Sequence, residues 1–235
     1  PFLHLASGGS MTHAAFLRMA ARFAHVLSNA GLVPGDRLAA QVEKSPEALA
    51  LYAACVQAGV VFLPLNTAYT RDELAYFIEN SGAKLVVGDP ARADDLRPMV
   101  EGLDAQLMTL AADGTGSFTE AAADRPDSFD TAGREEDDLA AFLYTSGTTG
   151  RSKGAMLTQS NLLSNAETLV DCWRFTADDV LLHALPIFHT HGLFVATNVM
   201  LVAGGSMIYL PKFDLDVVIA NLPRATSMMG VPTFY

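Results

Sequence analysis

Helix-like and strand-like segments alternate along almost the whole chain, and this order constrains the fold more than any other feature. Thr12 can cap a helix in which Phe16, Ala20, Phe23 and Leu27 recur at helical spacing, and Gly31 ends it. Arg37 to Val42 reads as a strand. Ser45 followed by Pro46 starts a second helix that runs to Gly59, with proline at the first helical position. Val60 to Pro64 is a strand, and Thr70 with Glu73 forms a capping box for a helix over 71–80. Lys84 to Gly88 and Gln106 to Leu110 are strand-like. The stretch 111–138, rich in Ala, Asp, Gly and Pro, is expected to be a solvated connection. Strands resume at 139–145 and 155–158, and a helix follows Ser160. Strands at 180–185 and 206–210 flank an apolar helix over 192–205. A helix over 215–222 and a strand over 227–231 complete the series, and the last residues read as the entry to another helix.

Strands separated by helices pair in parallel through right-handed crossovers. The expected fold class is therefore α/β, with layered, parallel-rich sheets and flanking helices. Half of the 235 residues are hydrophobic, enough for a sizeable core. The 26 acidic and 15 basic residues give a net charge of -11, which argues against nucleic acid as a partner. An anionic ligand needs a local positive site that works against this field. Cys55 and Cys172 both sit in apolar helical surroundings and read as buried, reduced thiols. The longest apolar stretch, 192–205, is too short for a membrane span, and no signal sequence opens the chain, so a cytoplasmic location is expected.

The segment Tyr144-Thr145-Ser146-Gly147-Thr148-Thr149-Gly150-Arg151-Ser152-Lys153-Gly154 carries the clearest chemistry. A buried strand delivers the chain into a run of glycines and hydroxyls. Gly147, Gly150 and Gly154 permit close approach of a ligand to the backbone, whose N–H groups can line an anion-binding concavity. Thr145, Ser146, Thr148 and Thr149 add rotatable hydroxyl donors. Lys153 adds a point charge worth about 4 kcal/mol at contact distance near a protein surface. A Walker P-loop is disfavoured, because Arg151 and Ser152 separate Gly150 from Lys153. On composition alone, a flexible Ser/Thr/Gly surface loop is the competing reading.

Further on, Pro186-Ile187-Phe188-His189-Thr190-His191-Gly192 places two histidines on a loop after a strand. Such a histidine can donate a hydrogen bond to a carboxylate or phosphate oxygen. A hydrogen-bonded structural histidine, or a His-x-His metal site lacking a third ligand, are the alternatives. For Met229, Gly230 and Val231 the competing reading is core packing.

The ordered string 144–154 resembles the signature loop of the adenylate-forming superfamily, which includes acyl-CoA synthetases, luciferases and adenylation domains of peptide synthetases. Ser152 stands where many members have proline, which implies a less rigid loop. The histidine segment, the strand end Met229-Gly230-Val231-Pro232-Thr233 and the stretch Gln57 to Asn66 resemble further motifs of that superfamily. Within it, the strings 145–157, 183–196 and 229–235 are similar to malonyl-CoA synthetases.

The resemblance runs from about residue 10 to the end and implies an AMP-forming acid-thiol ligase. Residues 1–235 would be part of its large N-terminal adenylation domain. ATP, Mg²⁺ and coenzyme A are implied, with a small carboxylate, malonate or methylmalonate, as substrate. Thr145, Ser146, Gly147, Thr148, Thr149, Gly150 and Lys153 are implied at the nucleotide, with Thr148 toward the metal. His189 is implied to orient the carboxylate, while His191, Gly192, Met229, Gly230 and Val231 line the acyl site. No Tyr-Gly-x-Thr-Glu segment, ribose-binding aspartate or lid lysine of the superfamily occurs in these residues, and without them turnover is not expected. Three other readings stay open: another acyl substrate, a domain that loads a carrier protein, and a non-catalytic ATP-binding module.

Overall fold

The computed structural model describes residues 1–145 and 152–234. In chain order the elements are β1 (Leu3–Leu5), β2 (Ser10–Met11), α1 (His13–Asn29), β3 (Arg37–Gln41), α2 (Pro46–Ala58) and β4 (Val61–Pro64). Next come α3 (Arg71–Ser81), β5 (Leu85–Gly88), α4 (Ala93–Gly102), β6 (Gln106–Thr109), α5 (Ser117–Ala122), β7 (Leu139–Thr145) and β8 (Lys153–Thr158). The last part holds α6 (Gln159–Trp173), β9 (Val180–His183), a π-helix (His191–Thr197), α7 (Asn198–Ala203), β10 (Ser206–Tyr209), α8 (Leu215–Asn221) and β11 (Ser227–Met229). The chain divides into two compact units, Leu17–Gln159 and Pro1–Phe16 with Ser160–Tyr235.

In the unit Leu17–Gln159 the described strands run in the order β6-β5-β3-β4-β7-β8, parallel except for β8. Strands β3, β4 and β5 are buried almost throughout, so they read as continuous apolar runs rather than alternating ones. Local chemistry sets the helix ends. Ser45 accepts from Ala48 N–H, and Thr70 and Glu73 make the expected capping box. Gly59 closes α2 at φ 68°, a left-handed conformation that glycine adopts without steric cost. Helices α3 and α4 cover one face of the sheet through Leu74, Phe77, Ile78, Leu96 and Val100 on Ala39, Leu63 and Val86. Tyr52 of α2 meets Phe62 on the opposite face, with ring centroids 5.5 Å apart.

The expected solvated connection is partly structured. It contains α5, whose Phe118 is fully buried and meets Phe23 edge to face at 5.0 Å. One buried aromatic anchors a segment whose average composition is polar.

In the other unit the described strands run β11-β9-β10-β1-β2, parallel except for β2. Val218 of α8 packs with Leu182, Ala184, Ile208 and Leu210. Phe2 lies between Phe16 and His13, and His13 Nε2 is 3.0 Å from Gly205 O.

The thiols differ. Cys55 is fully buried, and loss of solvent pushes its pKa upward. Cys172 is exposed, contrary to the sequence expectation. It lies six residues past buried Ala166, roughly 240° around α6 and so off the packed stripe. Iodoacetamide is therefore expected to label Cys172 in the folded protein within minutes and Cys55 only after denaturation, read by peptide mass spectrometry.

Candidate active site

The phosphate-loop candidate springs from the β7–β8 hairpin, in which Thr145 faces Lys153 and Tyr144 faces Gly154. Directly opposed residues of an antiparallel pair project their side chains on the same face of the sheet. Both residues are exposed, and Thr145 Oγ1 lies 3.4 Å from Lys153 O. Helix α3 braces both stems. Tyr76 hydroxyl donates to Ser152 O at 3.0 Å, and Tyr144 hydroxyl donates to Asn80 Oδ1 at 2.6 Å. Burial, with Tyr76 nearby, pushes the Tyr144 pKa up to about 12, so its phenol keeps the proton it donates. The bond to Ser152 O restrains the position where proline is usual. Ser146, Gly147, Thr148, Thr149 and Gly150 lie outside the described residues.

The carboxyl edge from which β7 releases this loop is tied together by Gln41, 3% exposed. Its amide donates to Asn66 O at 2.9 Å and Tyr69 O at 3.3 Å and accepts from Arg92 Nη1. Ligands of parallel sheets bind beyond such edges. Lys44, which belongs to no motif in the sequence, follows β3 at this edge. It is buried, and desolvation pulls its pKa well below the lysine range. A lysine directly before the helix cap Ser45 was the available signal.

In the other unit, the chain leaves β9 at His183 and passes through Pro186 and His189 into the π-helix. His189 is exposed, yet its ring lies against Phe188 at 4.5 Å, and loss of solvent lowers its pKa. That shift favours the neutral imidazole, in which one ring nitrogen carries a proton and can donate. His191 and Gly192 begin the π-helix. Strand β11 pairs with β9, Met229 opposite His183, so Met229, Gly230 and Val231 leave the same sheet edge as the histidine segment. Met229 is buried, Gly230 intermediate and Val231 exposed. Among the described residues no three His, Cys, Asp or Glu side chains cluster as metal ligands would. Nor is any described helix long and apolar enough to cross a membrane.

Residues 2–235 match the family model described as "AMP-binding enzyme". The chain belongs to the AMP-binding enzyme family. It is 35% identical over 230 residues to a feruloyl-CoA synthase of Amycolatopsis sp, covering 97% of this chain and 45% of that protein. It is 33% identical over 193 residues to the mitochondrial malonate–CoA ligase ACSF3 of Bos taurus, covering 80% of this chain and 32% of the relative. The crystal structure of ATP-bound MatB from Rhodopseudomonas palustris matches at a TM-score of 0.97 and 58% identity, covering all of this chain and 46% of that one. The chain thus spans about half the length, or less, of these relatives. The AMP-binding family accounts for the parallel-rich α/β sheets with their flanking helices.

Proposed function

We propose that these residues belong to the large N-terminal adenylation domain of an AMP-forming ligase that joins malonate, or a close analogue such as methylmalonate, to coenzyme A. The observation that carries the reading is the match of this whole chain to 46% of ATP-bound MatB, together with the Thr-Ser-Gly-Thr-Thr-Gly string that begins at the last residue of β7 in the sequence. Kinship with the bovine malonate–CoA ligase supports the acid, and kinship with the feruloyl-CoA synthase makes another acyl group the competing choice.

In the proposed first step a carboxylate oxygen attacks the α-phosphorus of ATP. The bond to the β-phosphate oxygen breaks, pyrophosphate leaves and an acyl-adenylate forms. Coenzyme A thiolate then attacks the acyl carbon and AMP departs. The chain's part is positioning and charge stabilisation. Loop 144–154 is assigned to the β- and γ-phosphates through backbone N–H groups, hydroxyls and Lys153. His189 donates to the carboxylate and aims it, and His191, Gly192 and residues 229–231 line the acyl side. Mg²⁺ usually keeps several waters and is held through phosphates and one or two protein oxygens, which fits a hydroxyl-rich loop with Thr148 as the candidate ligand. When bound, it would neutralise phosphate charge.

The test is carboxylate-dependent pyrophosphate release by the full-length protein with ATP, Mg²⁺ and coenzyme A. Malonate, methylmalonate, acetate, ferulate and a long-chain fatty acid are compared. Malonate is expected to give the highest kcat/KM, and His189→Ala is expected to lower it by about 10²-fold. Release with ferulate or fatty acid but not malonate overturns the substrate. ATP binding with no release for any acid overturns the ligase reading.

A further inference from the structure

His183, the last residue of β9, is buried to 1% exposure. Its Nε2 lies 2.8 Å from Gly192 O. A carbonyl only accepts, so Nε2 carries the proton and donates. Thr197, fully buried, donates its hydroxyl to the same oxygen at 3.0 Å. Two side-chain donors therefore converge on one backbone carbonyl. Gly192 is the second residue of a π-helix, a rare turn that is frequent at functional sites. The backbone at this point is in close contact with the loop before it, since a Cβ on Gly192 would stand 2.0 Å from Pro186 O. Leu193 N–H also donates to His189 O at 3.0 Å. The ten-residue path from His183 to Gly192 is thus closed on itself by the hydrogen bond between its first and last residues. His189 and His191 both lie within it.

We infer that His183 is a positioning residue for the acylation chemistry. With Thr197 it fixes Gly192 O, and so sets where His189 stands toward the carboxylate. This rests on the acyl-adenylate reading of His189. His183 touches no substrate in this assignment, and its effect reaches the reaction through the loop it closes. Displacement of a reacting group by an ångström can lower a rate about 100-fold. Losing one of two anchors, with Thr197 retained, should have a smaller effect.

The experiment uses the full-length enzyme and steady-state kinetics for both carboxylate and ATP. His183→Leu removes the donor and is expected to lower kcat/KM for the carboxylate about tenfold, while KM for ATP changes less than about twofold. His183→Gln keeps an N–H at similar reach and is expected to recover to within about threefold of the parent. The double variant with His189→Ala should be no slower than His189→Ala alone, because both changes act on one group. Equal losses in His183→Gln and His183→Leu, or additive losses in the double variant, would reduce His183 to a packing residue and overturn the inference. A large loss in His189→Ala beside unchanged kinetics in His183→Leu overturns it too, and leaves the acyl-adenylate reading standing. Intact carboxylate kinetics in His189→Ala sink that reading and this inference together. If His183→Leu does not fold, Thr197→Val, which keeps the shape, carries the same comparison.

Discussion

Lys153→Ala in the full-length protein is expected to lower the rate of carboxylate-dependent pyrophosphate release by about 10²- to 10³-fold, the loss typical when one preorganised donor to developing charge is removed. The physical ground lies in the hairpin. Lys153 opens β8 directly across from Thr145, so the ladder fixes its backbone before any ligand arrives. The chain as a whole carries a charge of -11, so a polyphosphate needs a local cation to offset that charge. Lys153→Arg keeps the charge but replaces a compact ammonium with a broad planar fork, so it should restore only part of the rate. Because Lys153 is exposed, neither variant should shift the melting temperature by more than a degree or two. A rate loss accompanied by a large melting shift would mean that the lysine holds the fold rather than the phosphates.

Gly192→Ala should act in the opposite way, on stability first. An added Cβ would lie 2.0 Å from Pro186 O and 2.9 Å from Pro186 C, well inside contact distance, and both atoms are backbone. The loop or the π-helix must move, at a cost of about 1–3 kcal/mol for overpacking, and more where backbone resists. For a chain of this size that corresponds to a melting shift of roughly 3–10 °C by calorimetry. The bonds from His183 and Thr197 to Gly192 O would be strained at the same time. The two substitutions thus separate two kinds of contribution, a charge that meets ligand and a missing side chain that lets two segments touch. A Gly192→Ala protein that melts with the parent would show that loop 184–190 yields freely, against the close packing described.

Much of the fold was legible because its signals are local. Ser45-Pro46 and the Thr70/Glu73 pair declare helix starts through hydrogen bonds three residues away, and the structure has those bonds. The parallel strands were legible as apolar runs between helices. What was missed depends on distant partners. Leu3–Leu5 is too short to read as a strand until Met207–Tyr209 pairs with it. Helix α4 hid behind Asp94, Asp95 and an internal Pro98. The apolar stretch after His191 was read as one helix, but its first half is a π-helix, a difference in hydrogen-bond spacing that composition does not carry. At the candidate site, His189 and the hairpin residues were visible as motif. The burial of Lys44, and of His183 with its carbonyl partner, exists only once the sheets have formed.

The pairing of Leu3–Leu5 with Met207–Tyr209 also sets an order of events during synthesis. Unit Leu17–Gln159 is continuous in sequence and is complete before β9 and β10 have been made. Strand β1 must wait for a partner roughly 200 residues downstream, on the order of 10–40 s at ordinary translation rates. Over that interval the edge of β1 away from β2, which β10 will cover, is open to any passing strand. The vulnerable moment for this protein is therefore the delay between the synthesis of β1 and that of β10. Slow translation should lengthen that moment, and a chaperone held near the ribosome should protect it.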